Sequence, residues 1–328
     1  MDSALAYNKN SLMEGSIMSQ TRPNSDPVEI DASDPLRLHD VDHVRFYCGN
    51  AKQAAYFYAW NFGFQVEQYR DLTTGSRDTA SYLLRQGNIR LILETGLTTD
   101  HEAAQEVATY GDGVKDVSLN VDDAEAAYEQ AIRNGAESGY EPIEETDEHG
   151  TVVRAAIRSY GRVLHTFVSR KGDYGLDAVR AGGRFGPGWE KVGHFPLNEY
   201  NRQNPCGLEF VDHLVGNVEL GKMNHWVDWY SEVLGFKLFK HFDEADISTE
   251  YTSLMSKVMD SGFGVIKMPI NEPADGRRKS QIEEYLDWHN GTPGVQHLAL
   301  RTDDELHSVH ELRRRGVNFL KVPQSYYD

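Results

Sequence analysis

Two histidines in the second half of the chain, His213 and His297, have the residue type and placement of metal ligands. Each follows a turn-like approach and heads an apolar, strand-like run, and they are 297 − 213 = 84 positions apart. Imidazole binds first-row transition metals when the side chains converge from rigid elements. Residues on two strands can converge inside a curved sheet, and small Ala299, on the same pleat face as His297, leaves room beside that ring. The pair therefore predicts a metal site.

The first half of the chain carries related positions with different residues. His43 corresponds to His213, whereas Asp116 stands where the second half has His297. If one copy kept the ligands and the other lost them, only the second half holds a metal. The alternative is that these are ordinary interior strand residues, since the chain has 13 histidines. Spacing alone leaves both interpretations open.

An internal repeat indicates which elements must position the histidines. The segment Val211–Leu214 repeats Val41–Val44 at an offset of 213 − 43 = 170, and Gly294–Leu300 repeats Gly113–Leu119 at an offset of 297 − 116 = 181. Each copy reads as a strand, an Asp or Asn turn, an amphipathic helix ended by Gly, and further strands. This recurring order of elements predicts an α+β fold with two tandem domains, each built of paired βαβββ modules that form open curved sheets.

Two helices of the second half illustrate the pattern. In the last one, Asp303 or Asp304 can cap the start and Gly316 can end it in the left-handed conformation. Its apolar residues fall on one face that we expect to be buried. They are Leu306, Val309 and Leu312. In the helix after His213, the spacing favours core packing over a cofactor site. Its aromatic residues are Trp226, Trp229 and Tyr230.

The pattern divides the chain into four parts. Residues 1–36 lack periodicity and are expected to form a flexible arm. Residues 37–170 form the first domain, and residues 171–208 form a Gly- and Pro-rich linker of irregular backbone. Residues 209–328 form the second domain, which carries the histidine pair. Its last module stops at Asp328, before the two strands that close the first copy, so we expect it to be truncated.

Composition excludes several classes of protein. The net charge of −18 opposes contact with phosphates, so nucleic acid is not expected as a partner. Two cysteines are too few for a disulfide framework and indicate a reducing, cytoplasmic location. No apolar run approaches the roughly 18 residues that cross a bilayer, so no membrane association is expected.

Three motifs in the second half identify a family. They are Met268–Pro273, Arg278–Ile282 and Gly294–Leu300, the last of which contains His297. With these motifs the sequence resembles the 4-hydroxyphenylpyruvate dioxygenase family of the vicinal-oxygen-chelate group, from about residue 40 to Asp328.

The resemblance implies a non-haem Fe(II) enzyme that converts 4-hydroxyphenylpyruvate and O₂ to homogentisate and CO₂ in tyrosine and phenylalanine catabolism. Two histidines and one glutamate hold the iron in this family, and the histidines carry over to His213 and His297. The resemblance thus implies that the second domain is the catalytic one and the first is not. The glutamate is expected beyond Asp328, so this chain is expected to be inactive on its own. The resemblance also suggests a homo-oligomer.

Four residues carry over to the substrate pocket of the family. They are Ser256, Asn271, Gln281 and Gln296. Each of the last three has a plainer interpretation. Asn271 before Glu272 and Pro273 reads as a turn, and Gln281 follows Ser280 in a capping box and could be first-turn surface. Gln296 lies on the opposite pleat face from His297 in a regular strand, so a pocket role needs a β-bulge or a strand end there.

Two other functions remain open. Within the enzyme class, 4-hydroxymandelate synthase resembles this sequence in fold, iron and substrate but hydroxylates the benzylic carbon. From a different class, the chain could be a catalytically dead binding or scaffold protein. Analysis of the product discriminates among them.

Overall fold

The computed structural model describes residues 36–242, 254–261, 264–273 and 279–320. The predicted arm lies outside the described residues except for Leu36. Arg278 of the second family motif and the last eight residues, 321–328, also lie outside them.

The first sheet contains nine strands in the order β6-β7-β8-β5-β1-β4-β3-β2-β9. Their bounds are Val41–Tyr47 (β1), Gln65–Arg70 (β2), Thr79–Gln86 (β3), Ile89–Gly96 (β4), Gly113–Asn120 (β5), Ser138–Asp147 (β6), Gly150–Arg158 (β7), Leu164–Gly172 (β8) and Glu190–Lys191 (β9). At its centre, β1 pairs parallel with β4 and antiparallel with β5.

The second sheet has five strands in the order β11-β12-β13-β10-β14. They are Leu208–Asn217 (β10), Lys237–Phe242 (β11), Leu254–Asp260 (β12), Lys267–Pro273 (β13) and Gly294–Thr302 (β14). Its central strand β10 pairs parallel with β13 and antiparallel with β14, as β1 pairs with β4 and β5. The second sheet therefore repeats the order β2-β3-β4-β1-β5, which confirms the repeat and the predicted α+β fold.

Helices lie between the strands. The described α-helices are Ala51–Phe62 (α1), Glu102–Tyr110 (α2), Ala124–Arg133 (α3), Leu176–Arg180 (α4), Asn198–Gln203 (α5), Met223–Leu234 (α6), Gln281–Trp288 (α7) and Glu305–Arg314 (α8). No helix in these ranges is both long and apolar enough to span a bilayer.

Local sequence sets the helix ends. The Asn50 side chain accepts a hydrogen bond from the backbone N–H of Gln53, 3.0 Å away, at the start of α1. Gly63 ends that helix at φ +76°, a conformation that favours glycine. At α7, the Ser280 hydroxyl accepts from the Glu283 N–H, and the Glu283 carboxylate accepts from the Ser280 N–H. The predicted capping box is therefore present.

The last helix, α8, confirms part of its prediction and corrects another part. Asp304 caps it by accepting from the His307 N–H, and Gly316 has φ +90°. Leu312 is buried, but Leu306 is 85% exposed, so the prediction that Leu306 is buried was wrong. Periodicity identifies the residues that share a face, but burial needs a second surface, and none of the described elements covers Leu306.

The linker is more ordered than its composition predicted. It contains α4, β9 and α5, and β9 pairs with β2. Asn198 bonds both backbone groups of Val66, at 2.9 and 2.8 Å. Asn201 donates to two further backbone carbonyls near the end of α1. These long-range hydrogen bonds hold the linker against the first domain, although its Gly and Pro content does not favour a regular conformation locally.

A continuous core joins the two halves. Tyr230 of α6 is fully buried, and Trp226 and Trp229 pack against the same core, as predicted. The Tyr230 hydroxyl lies 2.7 Å from Nε2 of His165 on β8, so α6 is bonded to the first sheet. Both cysteines are buried free thiols.

Candidate metal and substrate site

The two predicted ligands, His213 and His297, lie side by side on adjacent strands. Strand β10 pairs antiparallel with β14, with His213 opposite Ala299 and Val215 opposite His297, so both rings stand on one face. Their ring centres are 5.9 Å apart, with the planes at 73°. Metal–nitrogen bonds of about 2.1 Å place each ring centre about 3 Å from a shared ion, so ligand rings stand at most about 6 Å apart. The observed spacing lies at the wide end of this range, so both rings can contact one ion, and ligands at about 90° would bring the ring centres roughly 1–2 Å closer.

Hydrogen bonds select the same tautomer for both rings. Nδ1 of His213 lies 2.8 Å from a carboxylate oxygen of Asp212. Nδ1 of His297 lies 2.7 Å from Oε1, the side-chain amide oxygen, of Gln296. Both oxygens can only accept, so each Nδ1 carries the proton and donates it. The lone pair of each neutral ring is then on Nε2, the arrangement that metal-binding histidines use.

The surroundings of the pair favour a neutral His297 and an ionised Asp212. The hydrogen bond from His213 and the nearby ammonium of Lys267 hold the pKa of Asp212 below its usual range. The Lys267 nitrogen lies 3.3 Å from the second oxygen of Asp212. Partial burial and the neighbouring His213 lower the pKa of His297. A neutral ring is the form that binds a metal.

A β-bulge brings Gln296 to the same side as His297. Between β10 and β14 the register moves from Val215 opposite His297 to Gly216 opposite Val295, which leaves Gln296 as the extra residue. A bulge of this kind redirects side chains. It explains the contact between the side-chain amide oxygen of Gln296 and the His297 ring. It is also an irregularity of the kind that a pocket role for Gln296 requires.

Two other predicted pocket residues share the histidine face. Ser256 on β12 is opposite Asn271 on β13, and Asn271 is level with Asn217 on β10, four residues after His213. Because paired residues and alternate residues of a strand point to one side, this polar row extends from the histidine pair across three strands. Asn271 lies within a strand, so its interpretation as a turn was wrong.

Gln281 lies elsewhere. It is the first residue of α7, directly after the capping Ser280, and its side chain is exposed. This is the first-turn surface position that the capping box predicts. The structure does not bring Gln281 into the row of Ser256 and Asn271, and its role in substrate binding stays a prediction.

Sequence reasoning missed Asn217. Its side chain is fully buried, and within the described residues neither its amide nitrogen nor its amide oxygen has a hydrogen-bond partner. The side-chain oxygen of Asn271 is also buried and unpartnered there. Buried amide groups almost always have partners, so these atoms indicate a place where a ligand or water completes the bonding. The signal in the sequence was the four-residue spacing from His213.

The corresponding place in the first half is closed. His43 is 1% exposed, its Nδ1 lies 2.6 Å from Asp42, and its Nε2 lies 3.1 Å from the Ser118 hydroxyl. Ser118 also donates to Asp116, 2.7 Å away. Both ring nitrogens of His43 are therefore engaged within the protein, and an aspartate stands in place of the second imidazole.

Within the described ranges, no group of three or more His, Cys, Asp or Glu side chains is arranged to hold a metal. The histidine pair thus supplies two ligands there. The third, the glutamate expected beyond Asp328, stays a prediction.

Comparison with known proteins decides the family. A model of the Glyoxalase/Bleomycin resistance protein/Dioxygenase superfamily matches residues 40–161 and 211–328. A 4-hydroxyphenylpyruvate dioxygenase from Tetrahymena thermophila is 44% identical over 293 residues, which cover 88% of this chain and 70% of the relative. One from Dictyostelium discoideum is 45% identical over 293 residues, covering 88% of this chain and 77% of the relative. The chain belongs to the 4-hydroxyphenylpyruvate dioxygenase family.

A solved structure supports the fold of this dioxygenase family member. A mutant of 4-hydroxymandelate synthase from Streptomyces coelicolor superimposes with a TM-score of 0.73 at 25% identity, over 90% of this chain and 79% of the other. The likeness extends across both sheets and agrees with the two tandem vicinal-oxygen-chelate domains expected from the sequence.

Proposed function

We propose that this chain is the part of a 4-hydroxyphenylpyruvate dioxygenase that carries two iron ligands and most of the substrate-binding face. The reaction converts 4-hydroxyphenylpyruvate and O₂ to homogentisate and CO₂, in the catabolism of tyrosine and phenylalanine. The observation that carries the proposal is the histidine pair, with both Nδ1 protons held by oxygen acceptors and both Nε2 lone pairs available.

The donor set fits Fe(II). His213 and His297 would bind it through Nε2, and the glutamate expected beyond Asp328 would complete the two-histidine, one-carboxylate set typical of non-haem iron oxygenases. Bound Fe(II) would supply the redox chemistry with O₂ and the open positions for the carboxylate and keto oxygens of a 2-oxo acid.

The surrounding residues hold the ligands in place. Asp212 fixes the orientation of the His213 ring and is itself held by Lys267. The Gln296 carbonyl does the same for His297. Such partners restrict ring rotation and raise the basicity of the ligand nitrogen.

The polar row orients the aromatic substrate. Ser256, Asn271 and Asn217 extend away from the histidines across β12, β13 and β10. Their uncharged donors and acceptors suit a phenol, and a site that pairs a hydroxyl discriminates strongly against analogues that lack it. We infer that the 2-oxo acid end faces the histidines and the phenol faces this row.

The product tests the proposal. Mass spectrometry would identify what a version extended to include the expected glutamate makes from 4-hydroxyphenylpyruvate and O₂. We expect homogentisate and CO₂. Because the structural neighbour is a 4-hydroxymandelate synthase, 4-hydroxymandelate would establish the alternative enzyme, and bound iron without any product would favour a binding protein.

A further inference from the structure

A cavity of about 490 Å³ lies on the first sheet, in the half of the chain that lacks the histidine pair. Charged and aromatic side chains from several strands and from the linker line it. Those used below are Arg45, Arg70, Arg77, Arg154, Phe185 and Trp189. The repeat places this cavity in the same module as His43, whose own nitrogens are engaged, so the cavity is distinct from the proposed iron site.

The arginines outnumber the carboxylates that pair with them inside the cavity. Arg45 donates to Glu94, 2.9 Å away, and that carboxylate also accepts from a serine hydroxyl. Arg70 and Arg154 share one carboxylate, Glu145, which contacts both guanidinium groups. Four arginines therefore line the cavity with two carboxylates, Asp78 and Glu94, while a third carboxylate, Glu145, pairs with two of the arginines, so the arginines are in excess by one. In a chain with a net charge of −18, such an excess of positive charge requires an explanation.

Arg154 is the group with the least compensation. Its side chain is only 13% exposed, and within the described residues its Nε–H is buried without an acceptor. Burial lowers the pKa of Arg154, and the nearby Arg170 and Arg45 lower it further against the attraction of Glu145. Arg154 also shares the carboxylate of Glu145 with Arg70, and an oxyanion from outside the fold would complete the compensation of the two charges.

The walls restrict the size and the kind of acceptor. Phe185 and Trp189 are almost fully buried at one side, while Arg77 is exposed in the loop before β3. Guanidinium groups bind planar or tetrahedral oxyanions through paired N–H donors. The volume suits a small molecule and is too confined for a polymer.

We propose that this cavity is a binding site for a small oxyanion that carries a carboxylate or a phosphate group. Its oxygens accept from the guanidinium groups of Arg154 and Arg70, and Arg77 adds a positive charge at the entrance. The site is independent of the proposed iron chemistry.

Calorimetric titration of the metal-free 328-residue chain tests the proposal, with inorganic phosphate and benzoate as separate probes. We expect one saturable site per chain for at least one probe. Binding of phosphate assigns a phosphate-bearing ligand, binding of benzoate assigns an aromatic carboxylate, and binding of both supports the shared oxyanion chemistry. Absence of saturable binding of either probe at millimolar concentration would overturn the proposal.

Variants locate the site. Arg154→Gln should weaken binding at least tenfold, since it removes a charge-assisted donor. Arg77→Gln, at an exposed position, should weaken binding severalfold. It tests the proposal in place of Arg154→Gln if that variant does not fold. Arg133→Gln removes one exposed positive charge from α3, outside the cavity, and should bind like the unmodified chain. Equal losses in Arg133→Gln and Arg154→Gln would overturn the proposal.

A last variant separates this proposal from the proposed function. His297→Ala should leave phosphate and benzoate binding unchanged, because the anion cavity does not include that residue. Loss of anion binding in His297→Ala would place the anion at the histidine pair and overturn the separate site.

Discussion

Replacing Asn217 by leucine should stabilise the fold while weakening substrate binding. The carboxamide of Asn217 is fully buried, and its nitrogen and oxygen lack partners in the described part of the chain. Leucine has the same branching with two methyl groups in place of the amide atoms. The substitution therefore removes two unsatisfied polar atoms from the interior and adds apolar contact.

The magnitude follows from the cost of burying an unpaired polar group, about 1–3 kcal/mol each. Some of the gain is offset because leucine is bulkier than asparagine. We expect the free energy of unfolding to rise by about 1–3 kcal/mol in Asn217→Leu. Affinity for 4-hydroxyphenylpyruvate should fall about tenfold, the equivalent of one or two neutral hydrogen bonds.

Asn201→Leu is the matched control. Asn201 is also buried, but its amide donates to the carbonyls of Ala59 and Phe64 and accepts from Arg315. The same substitution there should lower the free energy of unfolding by about 3 kcal/mol or more, since it leaves these groups unpaired. Urea titration measures both stabilities, and anaerobic calorimetry with Fe(II) measures substrate binding. If Asn217→Leu loses stability as Asn201→Leu does, the reasoning about unpaired amide atoms is refuted.

Three further predictions concern a helix end, a buried histidine and the partner of a ligand. Gly63→Ala should lower the free energy of unfolding by about 2–4 kcal/mol in urea titration, because its Cβ at φ +76° would lie 2.7 Å from a sulfur atom. Gly75→Ala, at φ +94° in the same left-handed region with nothing within 4 Å, should lose only about 1–2 kcal/mol, and equal losses would contradict the steric argument. Burial lowers the pKa of His165 to about 4, so the unfolded chain binds a proton below about pH 6.5 that the folded chain does not. Stability should then fall by about 3 kcal/mol between pH 6.5 and 4, and an undiminished pH slope of unfolding in His165→Gln would count against this. Asp212→Asn should weaken Fe(II) binding about 10–100-fold in anaerobic titration by releasing the ring of His213, whereas unchanged affinity would show that the contact does not position the ring.

The internal repeat explains why the fold could be predicted. Equivalent segments at constant offsets form equivalent strands, so β10 and β14 take the places of β1 and β5. The histidines could be placed together for the same reason, because each lies on a strand that pairs with the strand of the other. The pleat required a bulge or a strand end if Gln296 was to face the pocket, and the structure has a bulge there.

Contacts distant in sequence explain what the sequence alone did not predict. The burial of Leu306 was wrong because an apolar stripe does not specify the surface that covers it. The linker formed short helices because Asn198 and Asn201 bond to β2 and α1. Whether the Asn217 amide finds hydrogen-bond partners depends on residues that are distant in sequence. A residue pattern therefore does not predict that its two atoms lack partners within the described part of the chain.

Iron binding by the histidine pair tests the central claim most directly. Equilibrium dialysis against Fe(II) under anaerobic conditions, with the version extended to include the expected glutamate, should give one iron per chain, and His213→Ala or His297→Ala should each abolish it. His225→Ala, at an exposed position on α6, should retain it. Iron retained in both His213→Ala and His297→Ala, or no iron in the extended version without substitutions, would contradict the account.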